Sequence, residues 1–248
     1  MNRRDSARVS LVTGAGAGIG AAIARRLAAR GDRVVCADRD GASAAAVARE
    51  TGGVAVEVDV TADGAGESAV AAAVEHFGRL DALVTSAGIE RTAPAEELLT
   101  TTVRDILDVN VLGTFDLAAA AARRFLAQGG GGRVVLIGSV NGLRALPGQA
   151  GYATSKGAVT MLARALAVDW AEHGVCVNVV APGVTHTAMS AGSLGDPVRR
   201  EALLSRVPMR RPARPEEIAE AVAFLSSPEA GYITGICLPV DGGWLAAA

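Results

Sequence analysis

Lysine is almost absent from this chain. Of its 24 basic residues, 23 are arginines and one, Lys156, is a lysine. Arginine serves wherever a plain positive charge suffices. The one position that keeps lysine calls for what arginine lacks, a compact rotatable ammonium whose pKa shifts with its surroundings. Cysteine is scarce as well. Cys36, Cys176 and Cys237 are odd in number, far apart, and each lies in an apolar strand-like run. That excludes a disulfide framework and a Cys-rich metal centre, which need pairs at short spacing, and leaves three buried thiols acting as small hydrophobes. His76, His173 and His186 are equally scattered, so no metal is expected. Charge of one sign is missing too: the formal net charge is −2, without the basic footprint that nucleic acid requires. Every apolar run is broken well short of the roughly 20 residues of a membrane span. The opening residues, Met-Asn-Arg-Arg-Asp-Ser-Ala-Arg, lack the apolar centre of a signal peptide. A cytoplasmic protein with neither nucleic-acid nor membrane partners is expected.

What is there reads as α/β. Half of the 248 residues are hydrophobic, enough to bury about 70–75% of the unfolded surface without staples, and one domain over 1–248 is the default. Short apolar runs alternate with helical patterns throughout. Strands are expected at Val9–Val12, Val34–Ala37, Val54–Val58, Ala82–Val84, Val134–Ile137, Val175–Val180 and Ile236–Val240. Helices fall at about 19–30, 42–50 and 67–77, then over Thr101–Ala127, Ala150–His173 and Glu216–Leu225. Continuously apolar strands separated by helices imply a parallel sheet covered on both faces. The fold class is therefore a doubly wound, Rossmann-type sheet of about seven strands. Ser190–Arg214, rich in Gly, Pro and Arg, looks irregular, and about 185–214 is assigned as a lid. The helix from Ala150 is apolar almost all round (Val159, Met161, Leu162, Leu166, Val168, Trp170), which implies burial against both the sheet and a second subunit.

Between the first strand and its helix runs Thr13-Gly14-Ala15-Gly16-Ala17-Gly18-Ile19-Gly20. Such a turn brings backbone close to a ligand and aims a helix N-terminus at a pyrophosphate. Asp38 ends the second strand, about 20 residues on, where an acid accepts from ribose hydroxyls. Its charge repels the extra phosphate of NADP and favours NAD, while the neighbouring Arg39 pulls the other way. Asp59 reads equally as an adenine contact and as a plain strand-end turn acid.

Tyr152 and Lys156 are four apart at the start of a helix, hence on one face. With two tyrosines and one lysine in the chain, chance gives this spacing in about one placement in a hundred. An adjacent ammonium is expected to lower the phenol's pKa and make Tyr152 a general acid or base. Ser139 lies just beyond the carboxyl end of the fifth strand, where such sheets bind ligands.

These residues resemble the short-chain dehydrogenase/reductase family, and the likeness spans nearly the whole chain. Thr13-Gly14-x-x-x-Gly18-x-Gly20 is similar to the family's glycine motif, and Asp59-Val60 to its adenine contact. The resemblance makes Asn110, Ser139, Tyr152 and Lys156 the catalytic set, with Ser139 holding the substrate oxygen, Lys156 bonding the nicotinamide ribose, and Asn110 anchoring a water that links Lys156 to solvent. It implies further cofactor contacts from Pro182, Gly183, Thr185 and Thr187, and a closing motif at Val240-Asp241-Gly242-Gly243. One departure is plain: the family's Asn-Ala-Gly after the fourth strand is here Ser86-Ala87-Gly88. A homotetramer is implied, with the Thr101–Ala127 and Ala150–His173 helices at one interface.

For substrate the expected pocket side chains are Val140, Asn141, Leu143, Leu146, Gln149, Val184, His186, Met189 and Leu194. Those nearest the reactive carbon, Asn141 and Gln149, are polar and uncharged, which favours a neutral secondary alcohol or ketone. The alternatives are a 3-oxoacyl reductase, for which Arg199, Arg200, Arg206, Arg210, Arg211 and Arg214 would meet an acidic carrier or acyl-CoA rather than form a solvated face, and a sensor that binds NAD without turnover. The intact Ser139, Tyr152 and Lys156 set speaks against the sensor.

Overall fold

Strand burial divides this chain into layers. The computed structural model describes residues 7–247. Seven strands form one sheet: β1 (Val9–Thr13), β2 (Arg33–Asp38), β3 (Val54–Glu57), β4 (Ala82–Thr85), β5 (Gly132–Ile137), β6 (Val175–Pro182) and β7 (Cys237–Val240). Side chains alternate across a strand, and here both faces are apolar. Leu11, Val134 and Leu136 enter one core, whereas Val12, Val135 and Ile137 enter the other. Helices α3 (Ala65–Phe77), α5 (Gly113–Gln128) and α6 (Ala150–Trp170) cover the first face, and α1 (Gly18–Ala29), α2 (Gly41–Thr51) and α9 (Pro215–Leu225) the second. The edge strands depart furthest from full burial, β3 alternating half-buried with exposed residues and β7 being partly covered.

All pairings are parallel, in the order β3-β2-β1-β4-β5-β6-β7. After β3 the chain crosses back to lay β4 beside β1. That reversal opens a crevice at the strands' carboxyl ends, where ligands bind in sheets of this kind.

Three expectations need correction. The stretch expected as one helix from Thr101 to Ala127 is α4 (Thr100–Leu107) and α5 joined by a π-helical turn at Asp108–Leu112, a device that re-aims side chains at functional sites. The irregular Ser190–Arg214 holds two short helices, α7 (Ala191–Gly195) and α8 (Pro197–Leu204); Asp196 caps α8, accepting from the backbone of Val198 and Arg199. The helix from Ala150 ends at Trp170 and passes through a 3₁₀ turn to His173. On α6, Val159 and Leu166 are buried while Met161 and Val168 stand exposed, Val168 at 80%. Cys36 and Cys176 are buried and Cys237 half-buried, all unpaired, and burial pushes the thiols of Cys36 and Cys237 up.

Candidate active site

One cavity of about 1010 Å³ runs along the carboxyl ends of the strands. Its floor is the turn between β1 and α1. Gly14 has φ +65°, and a Cβ there would meet the Ala87 backbone nitrogen at 2.8 Å. At Gly20 a Cβ would lie 2.0 Å from the Gly14 carbonyl oxygen. The loop is thus a cradle that side chains would fill. The α1 N-terminus has no side-chain cap and no acid in its first turn, in contrast to α2, whose N-terminus Asp40 caps. Its free N–H groups face the cleft and suit a phosphate.

Asp38 closes the next strand. Its carboxylate accepts from the Gly16 backbone N–H at 2.9 Å and from the Asp40 N–H at 3.0 Å, which fixes its direction and leaves lone pairs on both oxygens for further donors. Asp59 accepts through one oxygen from the Thr61 backbone and hydroxyl, bonds that hold it well below the usual carboxylate range. It is a turn acid, and it also lines the cavity. Ser86 and Ala87 donate their backbone N–H groups to the Thr13 hydroxyl at 3.2 and 3.4 Å, so β1 and β4 stay tied where the family's asparagine is missing. This set of a cradle, an uncapped helix end and a cavity-lining acid at the end of β2 fits a dinucleotide.

At the other end of the cavity stand Ser139, Tyr152 and Lys156. Ser139 begins the turn after β5, accepts from the Asn141 N–H at 3.1 Å and lines the cavity beside Tyr152. Lys156 is buried, its ammonium donating to the Ile137 carbonyl at 2.8 Å and lying 5.7 Å from the Tyr152 ring centre. Burial pulls Lys156 down to about 8. The expected lowering of the phenol does not occur: Tyr152 is pushed up to about 12, by burial first and by the Glu90 carboxylate second, with the Ser139 hydrogen bond opposing. The ammonium lies over the ring rather than at the hydroxyl, so helical spacing brought the pair together without producing the shift.

Asn110 sits in the π-helical turn. Its amide donates to the Ile89 carbonyl and the Ser155 hydroxyl, both at 3.0 Å, and accepts from the Ile89 N–H at 2.8 Å, while its carbonyl accepts from Thr114. It therefore ties the segment after β4 to α6 and does not line the cavity. The other expected cofactor residues line the cavity (Gly18, Ile19, Arg39, Val60, Gly88, Pro182, Gly183, Thr185 and Thr187), Gly16 excepted, which lies beneath against Asp38. Of the expected substrate residues, Val140, Asn141, Leu146, Gln149, Val184 and Met189 line it. Leu143, His186 and Leu194 do not. A parallel bridge between Thr185 and Ala213, with the His186 N–H donating to Ala213, leaves the histidine exposed outside the cavity.

Glu90 escaped the sequence reading. It lines the cavity two residues beyond Gly88 and is half-buried, and burial pushes its carboxyl up. Gln149 donates to Glu90, and Asn141 donates to Gln149. The available signal was its position: an acid directly beyond the carboxyl end of the strand at the switch point.

Residues 14–245 match a family described as enoyl-(acyl carrier protein) reductase. The chain is 39% identical to 2-(R)-hydroxypropyl-CoM dehydrogenase of Xanthobacter autotrophicus, over 96% of this chain and 99% of that one. It is 42% identical to galactitol 2-dehydrogenase (L-tagatose-forming) of Cereibacter sphaeroides, over 94% and 93%. The crystal structure of gox2181 superposes with a TM-score of 0.94 at 35% identity, covering 98% of this chain and 97% of that one.

Proposed function

The chain belongs to the short-chain dehydrogenase/reductase family of oxidoreductases, and from that premise we propose that it moves a hydride between NAD(H) and a secondary alcohol or its ketone. The observation that carries this reading is that Ser139, Tyr152 and Lys156 line the same cavity as the glycine cradle. A bound nicotinamide gives or accepts the hydride. Ser139 holds the substrate oxygen, and Tyr152 gives or takes its proton. With its pKa near 12, the phenol of the free chain is protonated at neutral pH, ready to protonate a carbonyl oxygen as it is reduced. Lys156 holds the site's positive charge, and Asn110 is a positioning residue acting through the Ile89 backbone and α6.

Asp38 supports NAD over NADP, because a fixed carboxylate meets ribose hydroxyls well and a phosphate poorly. Residues 185–214 make the lid of this single domain; the Thr187 methyl lies 3.5 Å from where a Gly18 Cβ would stand, so the segment reaches over the phosphate loop. A homotetramer is supported by the exposed apolar side chains of Phe115, Met161 and Val168, and a cytoplasmic location by the lack, among the described residues, of any helix long and apolar enough to cross a membrane. The acyl-carrier reading is weaker, since Arg211 and Arg214 already face Glu217, and Arg199 faces Asp196. The test is a panel of alcohols and ketones with both cofactors, followed by nicotinamide absorbance. Turnover of neutral substrates with NAD(H) is expected, and NAD binding without turnover anywhere would point to a sensor instead.

A further inference from the structure

We propose that Glu90, Gln149 and Asn141 form a specificity-determining acceptor array that selects neutral substrates with a second hydroxyl beside the reacting carbinol, diols and polyols, over simple secondary alcohols and hydroxy acids. The proposal rests on the reading that Ser139 and Tyr152 mark the reacting oxygen.

The direction of the array follows from its anionic end. A carboxylate only accepts, so Gln149 must turn its NH₂ group to Glu90 and its carbonyl oxygen to Asn141. Asn141 must then spend its own NH₂ on Gln149. Its carbonyl oxygen is left over, and that atom is buried with no hydrogen-bond partner. An acceptor buried without a donor is costly and rare; here it belongs to a residue lining the substrate end of the cavity, two positions after Ser139. The Glu90 carboxylate accepts only from Gln149 among the described residues, which leaves its second oxygen for a ligand. Two acceptors thus await donors next to the reacting centre, and an alcohol with one hydroxyl, engaged by Ser139 and Tyr152, has no proton left to give them.

Charge chooses among the donors. Glu90 and Lys156 sense each other across the site, so the pair is close to neutral. A near-neutral pair offers no net attraction to an ammonium or a carboxylate on the substrate, so either would enter at the full cost of losing its hydration. A hydroxyl meets no such penalty.

The test compares secondary butanol, its vicinal diol and 3-hydroxybutyrate with the native enzyme and with Glu90→Gln and Asn141→Ala. A hydrogen bond to a charged acceptor sets the expected scale, so kcat/KM for the diol should exceed that for the mono-alcohol by about 10- to 100-fold, mostly through KM. Both variants should bring that ratio to within about threefold of unity. Glu90→Gln should also raise the relative rate with 3-hydroxybutyrate and shift the pH profile, because it removes a charge acting on Tyr152; Asn141→Ala should leave the profile in place. If Glu90→Gln fails to fold, Asn141→Ala carries the same ratio test. Equal efficiency with the diol and the mono-alcohol in the native enzyme, or a preference unchanged in the variants, overturns the array while leaving the oxidoreductase reading intact. Absence of turnover with every alcohol and both cofactors overturns the two together.

Discussion

Removing the buried ammonium of Lys156 should make the protein's stability cross that of the native chain as pH rises. In the native fold burial brings Lys156 from 10.5 to about 8, a cost of about 3 kcal/mol against the charged form. The folded pKa lies below the unfolded one, so between about pH 8 and 10.5 the unfolded chain holds a proton that the folded chain has released. Stability therefore rises with pH across that window. The cost is fully present below pH 8, and between pH 7 and 9.5 about 2 kcal/mol of it is relieved. Lys156→Met never bears it. The variant instead loses the 2.8 Å bond to the Ile137 carbonyl, leaving an unpaired acceptor that costs about 1–3 kcal/mol. At pH 7 it should be more stable than the native chain by about 1 kcal/mol, and at pH 9.5 less stable by a similar amount. Tyr152, with its pKa at about 12, is common to both and takes no part below pH 10. Urea unfolding at fixed protein concentration, at pH 7, 8.5 and 9.5, measures the difference directly. Parallel stability curves over that range would refute the account of Lys156 as a strained buried charge.

Other outcomes follow from single contacts. Asp38→Ala should narrow the preference for NAD over NADP by about tenfold, the scale of one like-charge contact in a partly screened site, measured as the ratio of kcat/KM values; equal efficiencies in the native enzyme would instead give the cofactor choice to Arg39. Gly20→Ala forces a Cβ to 2.0 Å from the Gly14 oxygen, so nicotinamide binding should be lost along with about 1–3 kcal/mol of stability, read by calorimetry and thermal melts; an unaltered Kd would show that the cradle is not the phosphate site. Val168→Arg should break a tetramer into smaller species by light scattering while the monomer fold persists, and a native monomer at micromolar concentration would remove the basis for that interface. Tyr152→Phe should abolish turnover with NAD binding retained; residual activity within tenfold of native would transfer the proton role elsewhere.

Much of this fold was legible because its signals are local. Strands buried on both faces are mostly apolar, and β1, β5 and β6 each carry only one or two polar residues in an otherwise apolar run. The edge strands β3 and β7 give weaker signals, as each has one side without a partner. The glycine loop was legible for a steric reason, since a Cβ at Gly20 would lie 2.0 Å from the Gly14 carbonyl oxygen. The π-helical turn at Asp108–Leu112 leaves no mark in the hydrophobic period, because it inserts one extra residue into a helix that continues on either side. His186 was misassigned because the bridge from Thr185 to Ala213 sets which way it turns, and that depends on a pairing across 28 residues. Glu90 was missed for the opposite reason: on the sequence it is one of 26 acids, and only the crossover placing β4 beside β1 brings it into the cavity.

The sign of the tyrosine shift joins these threads. Spacing of four on a helix brings Tyr152 and Lys156 within reach, and an ammonium beside a phenol lowers its pKa when nothing else acts. The fold adds two things spacing cannot contain, burial and the Glu90 carboxylate from the segment after β4, and both raise the phenol. The same burial explains why the one lysine is a lysine. A guanidinium carries five donors and stays charged at any accessible pH; at this position it would meet one carbonyl acceptor and the Gly88 backbone, where even a Cβ would lie 3.6 Å from the ammonium nitrogen. An ammonium satisfied by one carbonyl, able to release its proton near pH 8, fits a space and a dielectric that exclude arginine. The single lysine therefore stands at the one basic position, among the described residues, that is buried against a lone carbonyl acceptor.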